Sequence, residues 1–177
     1  MHLDEPVHLV AHDPGWMRTA AQEMARLSRT LEATANTIQH IGSTAVAGLM
    51  AKPIIDLMIG VAAYPPPVML TERLHELDYE CLGEAGVSNR LYFRRRAVDS
   101  FNAHVVLLGG NHWLDNLSLR ELLRSEPAAR QRYEAAKLDA IRAGYNMLLA
   151  YSNAKSTVTR ELIRCARIAF STQEPHG

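Results

Sequence analysis

IQHIGSTAVAGLMAKPIIDLMIGV, residues 38–61, is the stretch from which the reading of the chain follows. A short apolar run ends at Ile41 and breaks into Gly42-Ser43-Thr44; a second glycine, Gly48, follows, and Lys52-Pro53 leads into an apolar run holding one acid, Asp56. Gly42 lets the backbone come close to a ligand or take positive φ. Ser43 and Thr44 can cap a helix start or hydrogen-bond an anion, and Lys52 brings a mobile positive charge to the mouth of the next strand. A carboxylate among neighbours as apolar as those of Asp56 needs a cation or donors to offset its desolvation. A metal ion is the simplest such partner. Each fragment alone also serves as ordinary turn punctuation, so the ordered set carries the functional weight.

From Pro53 to Val61 the run is rich in β-branched residues and reads as a strand buried on both faces. Alternation places Ile54, Asp56 and Met58 on one side and Ile55, Leu57 and Ile59 on the other. Upstream, Asp13-Pro14 opens a helix whose stripe Trp16, Ala20, Met24, Leu27, Leu31 and Ala35 recurs at helical spacing. Downstream, Val68 to Leu77 reads as a short helix with Val68, Leu70, Leu74 and Leu77 inward. Arg90 to Arg96 and Ser100 to Leu108 read as an antiparallel hairpin turning at Val98-Asp99, with Asn102, His104 and Val106 on one face and Arg94, Arg95 and Arg96 alternating between faces. After Gly109-Gly110 the chain reads as helical. One helix spans Leu114 to Arg124. A second opens at Ser125-Glu126-Pro127, is lined by Ala129, Tyr133, Ala136 and Ala140 and stops at Gly144. A last helix carries Tyr151, Ala154, Val158, Leu162, Cys165 and Ala169, and Gln173 to Gly177 reads as a frayed tail. The order predicts one α/β (α+β) domain over residues 1–177: a mixed sheet flanked by helices, with a C-terminal helical layer.

Composition narrows the partners. With 19 basic and 19 acidic residues no global field recruits nucleic acid or a membrane surface. Two cysteines, Cys81 and Cys165, without metal-ligand spacing favour unpaired thiols in a reducing cytoplasm. The N-terminus has no signal-peptide pattern, and no uncharged apolar run approaches the roughly 18 residues of a membrane span. Neither a P-loop nor a GxGxxG run is present, which argues against kinase and dinucleotide chemistry. Nothing in the sequence sets an oligomeric state.

Gly42-Ser43, followed after twelve residues by Asp56 on a strand, resembles the signature of the DNA-polymerase-beta-like nucleotidyltransferase superfamily. Within it, HIGSTAVAGLMAKPIIDLMIGV is similar to the GrpB family, whose members read HIGST-VPGL-AKPIIDI. Arg90 to Phe93, FNAHVVLLG, Leu119 to Arg124, Pro127, Tyr133, Lys137, Tyr151 and Lys155 fall in that family's order, so the resemblance covers most of the chain.

The resemblance implies a nucleoside triphosphate as substrate, with backbone N–H groups after Gly42 and the Ser43 hydroxyl on its terminal phosphates. Asp56 would hold Mg²⁺, which takes carboxylate and phosphate oxygens together, and a nucleotidyl group would pass to a small acceptor that no motif specifies. The superfamily pattern has a second acid two residues after the first; here that position is Met58. Glu84 and Asp99 are the candidates to complete the metal site. Met58 also motivates the alternative of a nucleotide- or phosphorylated-ligand-binding domain without turnover. His104 is the candidate base or phosphate ligand near neutral pH. Thr44, Lys52, Arg90, Arg120, Arg124 and Lys155 are the candidates to surround the phosphates, and a core role for His104 or a solvated one for the helix arginines is the plainer reading.

Overall fold

The structure is a computed structural model that describes residues 3–32 and 37–171, with side chains to residue 169. Five strands, β1 (Ile38–Ile41), β2 (Ile55–Val61), β3 (Glu80–Cys81), β4 (Arg90–Arg96) and β5 (Ser100–Leu107), form one mixed sheet in the order β1-β2-β5-β4-β3. β2 runs parallel to β5, and the β1–β2, β4–β5 and β3–β4 pairs are antiparallel. The helices are α1 (Gly15–Leu31), α2 (Val68–Glu76), α3 (Asn111–Ser125), α4 (Pro127–Arg142), α5 (Leu148–Ala154) and α6 (Ser156–Ser171). The mixed sheet flanked by helices is as expected. Among the described residues no helix is long and apolar enough to cross a membrane.

Period-2 alternation divides the sheet into two unlike faces. Ile55, Leu57, Ile59, Phe93, Phe101, Ala103 and Val105 turn one way and pack with Trp16, Ala20 and Leu27 of α1 and Leu74 of α2. The opposite face carries Asp56, Asn102 and His104 at one end. At the other end Met58 and Val106 pack with Ile41 and with Trp113 of α3. A further cluster of Leu122, Leu123, Tyr133, Leu162 and Ala166 surrounds Val46 and Leu49 of the 42–52 loop, so α3, α4 and α6 close over the segment that follows Gly42. α1 starts at Gly15 with Pro14 at its cap position, one residue later than read, and Asp13 Oδ1 accepts the Gly15 N–H at 2.7 Å just ahead of it.

The helical readings change in three further places. The single C-terminal helix is two, α5 and α6, broken at Lys155. Its inward residues are Val158, Leu162 and Ala166, at spacings of four, which leaves Cys165 exposed. The third helix begins at Asn111, so Trp113 lies in its first turn. Val68 opens α2 exposed, and that helix buries Leu74. The stretch 78–88, which shows no clear period, contains β3 and a turn. Ala35 and the 173–177 tail lie outside the described residues.

Candidate functional site

The site is built where β1 ends and the chain must turn over β2. Gly42 has φ +71° and ψ −169°, backbone that only glycine adopts at ease. A Cβ there would stand 2.8 Å from Oδ2 of Asp56 and 3.2 Å from its Cβ. The glycine is therefore fixed twice over, by conformation and by the carboxylate beneath it.

Asp56 Oδ1 accepts Asn102 Nδ2–H at 2.7 Å and lies 3.3 Å from His104 Nε2. A carboxylate only accepts, so the His104 tautomer toward it carries its proton on Nε2. The Asn102 orientation is settled by its other end, where Oδ1 accepts from Tyr92 Oη at 2.8 Å and from Arg96 at 2.9 Å. Arg96 in turn pairs with Glu5 at 2.7 Å, which ties the N-terminal segment into the network. Burial opposes the Asp56 charge, but the His104 hydrogen bond, the Lys52 charge and the Asn102 donor hold the carboxyl well below the usual carboxylate range. Burial lowers His104, against the pull of Asp56, and keeps its ring neutral near pH 7.

In front of Asp56 opens a pocket of about 300 Å³ between the sheet face and α3, α4, α5 and α6. Five cations line it, Lys52, Arg90, Arg120, Lys137 and Lys155, against the single carboxylate of Asp56. Arg120 is engaged already, donating to Glu121 at 2.7 Å, the His40 carbonyl at 2.8 Å and Gln39 Oε1 at 3.1 Å. The other four have no carboxylate in ion-pair reach among the described residues. Arg90 stacks 5.1 Å above the Tyr92 ring and donates to the carbonyls of Glu84 and Ala85. Lys155 Nζ lies 3.5 Å from Tyr133 Oη and 5.6 Å from the Tyr151 ring centroid.

Of the residues singled out from sequence, Gly42, Ser43, Thr44, Lys52, Asp56, Arg90, His104, Arg120 and Lys155 all line this pocket. The Thr44 hydroxyl is taken by His40 Nε2 at 2.9 Å. Arg124 stands apart, bound to the Ala45 carbonyl and Glu121. The structure does not bring Glu84 to the site. It is exposed, and its Oε1 accepts the Asn89 N–H at 2.7 Å and Tyr64 Oη at 3.4 Å, closing the turn before β4. Asp99 is exposed in the β4–β5 turn and also stands outside the pocket lining. Among the described residues no group of three or more His, Cys, Asp or Glu side chains could hold a metal. Met58 is wholly buried beneath Trp113. One feature escaped the sequence reading. Lys137 is 1% exposed, with Nζ donating to the Met50 carbonyl and to Ser43 Oγ at 3.2 Å. Its spacing of four from Tyr133 placed it on the inward side of α4, a signal that the alanine stripe concealed.

The GrpB protein family matches residues 6–164 of this chain. The glutamate-rich protein GrpB of Alkalihalophilus pseudofirmus is 29% identical over 163 residues, covering 89% of this chain and 94% of that protein. A UPF0157 protein of Streptomyces coelicolor is 31% identical over 153 residues, with 86% and 80% covered. A dephospho-CoA kinase of Mycobacterium tuberculosis is 27% identical over 85% of this chain, a match spanning only 43% of that enzyme. Among solved structures, that of the conserved protein GrpB from Enterococcus faecalis superposes with a TM-score of 0.76 at 27% identity, covering 89% of this chain and 98% of that one. With the family pattern running through β1, the Gly42 turn, β2 and the helices that close the pocket, the chain belongs to the GrpB family.

Proposed function

We propose that the pocket binds a nucleoside triphosphate and serves transfer of its nucleotidyl group to a small acceptor. The carrying observation is the charge count: Lys52, Arg90 and Lys155, which have no carboxylate partners, and one engaged arginine face a single acid. Unpaired charge is costly to hold in a partly buried pocket unless a ligand of opposite sign completes it. Lys52, Arg90 and Lys155 would share the phosphate oxygens, and the Ser43 hydroxyl adds a donor.

Asp56 fits one Mg²⁺ ion. Its Oδ1 is occupied by Asn102 and His104, which leaves Oδ2 for a cation, and magnesium is commonly held by one or two carboxylates with substrate phosphates completing its shell. When bound, the ion would neutralise phosphate charge and favour departure of pyrophosphate. Asn102 and His104 hold the carboxylate ionised and oriented. Dephospho-CoA belongs in the screen because a mycobacterial relative is named for it; this chain has no P-loop, so kinase chemistry is not carried over with the likeness.

Thermal melts with each nucleoside triphosphate and dephospho-CoA, with and without Mg²⁺, test the reading. Stabilisation that needs Mg²⁺ in the native chain and loses that requirement in Asp56→Asn supports it; no stabilisation by any of them overturns it. A second reading, binding without turnover, is favoured by the buried Met58 where the superfamily pattern has an acid. Pyrophosphate release from any triphosphate and acceptor would exclude it.

A further inference from the structure

We propose that Ser43 is a nucleophile with Lys137 as its base, taking the nucleotidyl group covalently before an acceptor receives it. The proposal rests on the nucleotide reading above and adds a step to it.

Three observations converge. Lys137 Nζ lies 3.2 Å from Ser43 Oγ, within the reach of a nucleophile–base pair, and its second partner, the Met50 carbonyl, aims the amine. The Met50 peptide is itself clamped, because its N–H donates to Glu134 Oε1 at 3.0 Å, so α4 holds both ends of the unit that orients the base. The groups facing Lys137 are Ser43 from the turn, Tyr133 and Glu134 from α4 and Lys155 from the α5–α6 junction. Burial, then the Lys155 charge, push the amine down to about 7 against the opposing Glu134, so a neutral lone pair exists near neutral pH. Lastly, Met58 removes the second acid that could prepare an external hydroxyl, and an internal serine with its own base answers that lack.

The step balances without a further reagent. Ser43 Oγ attacks the α-phosphorus of the bound triphosphate, its proton passes to Lys137 Nζ, and the Oγ–P bond forms as the α–β bridging P–O bond breaks. Pyrophosphate leaves with its charge held by Lys52, Arg90 and Lys155. Attack by an acceptor hydroxyl on the same phosphorus then forms the acceptor O–P bond and breaks the Oγ–P bond; Lys137 returns its proton to Ser43 Oγ, and the acceptor's hydroxyl proton passes to solvent.

The experiment is intact-protein mass spectrometry after incubation of the full chain with Mg²⁺ and each of the four nucleoside triphosphates. A parallel melt reports binding. The expected result is an increment of one nucleotidyl group on Ser43, faster as pH rises through the neutral range, absent in Ser43→Ala, Lys137→Arg and Lys137→Met. Lys137→Arg keeps the charge but cannot act as base, so it retains nucleotide stabilisation; Lys137→Met is the check should the larger guanidinium disturb folding. A phosphoryl increment, a label surviving in any of these variants, or stabilisation with no label in the native chain overturns the covalent step while leaving the binding reading intact. Absence of both label and stabilisation overturns the binding reading with it.

Discussion

At the scale of single residues, the site depends on side chains whose neighbours leave no room for substitution. Gly42→Ala meets an unfavourable φ and a 2.8 Å approach to Asp56 Oδ2. The expected cost is about 1–3 kcal/mol for the backbone alone, read from urea midpoints, with loss of any Mg²⁺-dependent nucleotide stabilisation because the carboxylate must move. Met58 gives the complementary case. The superfamily pattern invites Met58→Asp as a way to supply the absent acid, but the side chain is packed among Ile41, Val106 and Trp113. An acid there loses a core contact and buries a charge without a partner. A loss of more than about 3 kcal/mol is expected, with no gain in Mg²⁺ affinity by calorimetry, whereas Met58→Leu should cost under about 1.5 kcal/mol. Alternation along one strand made the shared face of Asp56 and Met58 legible from sequence. That one position opens on a pocket and the next on a core was not legible, because only the placement of Trp113 and α3 decides it.

At the scale of elements, β2, β4 and β5 were read well because their signals are local: period-2 alternation in β2 and β5 and a turn at Val98-Asp99; the two-residue β3 carries no such signal. Helix frames were read less well where several small residues offered competing stripes. In α4 the stripe Ala129, Tyr133, Ala136 and Ala140 contains two of the buried positions, Tyr133 and Ala140, and passes over the third, Lys137. Likewise Glu23, 6% exposed on α1, is held by Arg95 at 3.1 Å and by Tyr79 Oη at 3.0 Å, partners 72 and 56 residues away that no periodicity announces. The buried lysine makes a prediction about stability against pH. The folded chain holds Lys137 at about 7, below the ordinary lysine value of 10.5, so between those values the unfolded chain binds more protons and stability rises with pH. Below the folded value the amine is charged in both states and the burial penalty is fully present. Lys137→Met removes that penalty while keeping most of the volume. It should melt several degrees above the native chain at pH 6, a gain of about 1–3 kcal/mol on the scale of replacing buried ionic groups by apolar ones, and the gap should close as pH rises toward 10. A native chain whose melting temperature is independent of pH between 7 and 10, relative to Lys137→Met, would show that the amine is not perturbed by its surroundings.

At the scale of the molecule, a chain with no net charge concentrates its asymmetry in one place. The 19 basic and 19 acidic residues cancel overall, but the closure of α3, α4, α5 and α6 over one sheet face gathers five cations around one acid. This follows from the fold, since Lys52, Arg90, Lys137 and Lys155 are scattered over more than half the chain and meet only when the helical layer packs on the Gly42 loop. Outside the pocket 14 basic and 18 acidic residues remain, and some of them pair, such as Arg95 with Glu23 and Arg96 with Glu5. The field of the pocket should therefore attract polyphosphate as such. Inorganic triphosphate, with no base or sugar, should raise the melting temperature. At 100 times its dissociation constant a ligand stabilises by about 2.7 kcal/mol, or roughly 5–10 °C for a domain of this size. The shift should shrink as salt rises from 50 to 500 mM, concentrations over which the screening length falls from about 14 to 4 Å. Lys52→Ala and Lys155→Ala should each weaken binding about tenfold or more, since a hydrogen bond to a charged group is worth about 1.5–3 kcal/mol. Arg142→Ala, at an exposed pair with Asp139 away from the pocket, should leave it unchanged. Equal effects of all three substitutions would mean that triphosphate binds to diffuse surface charge, and the pocket would lose its claim to be the site.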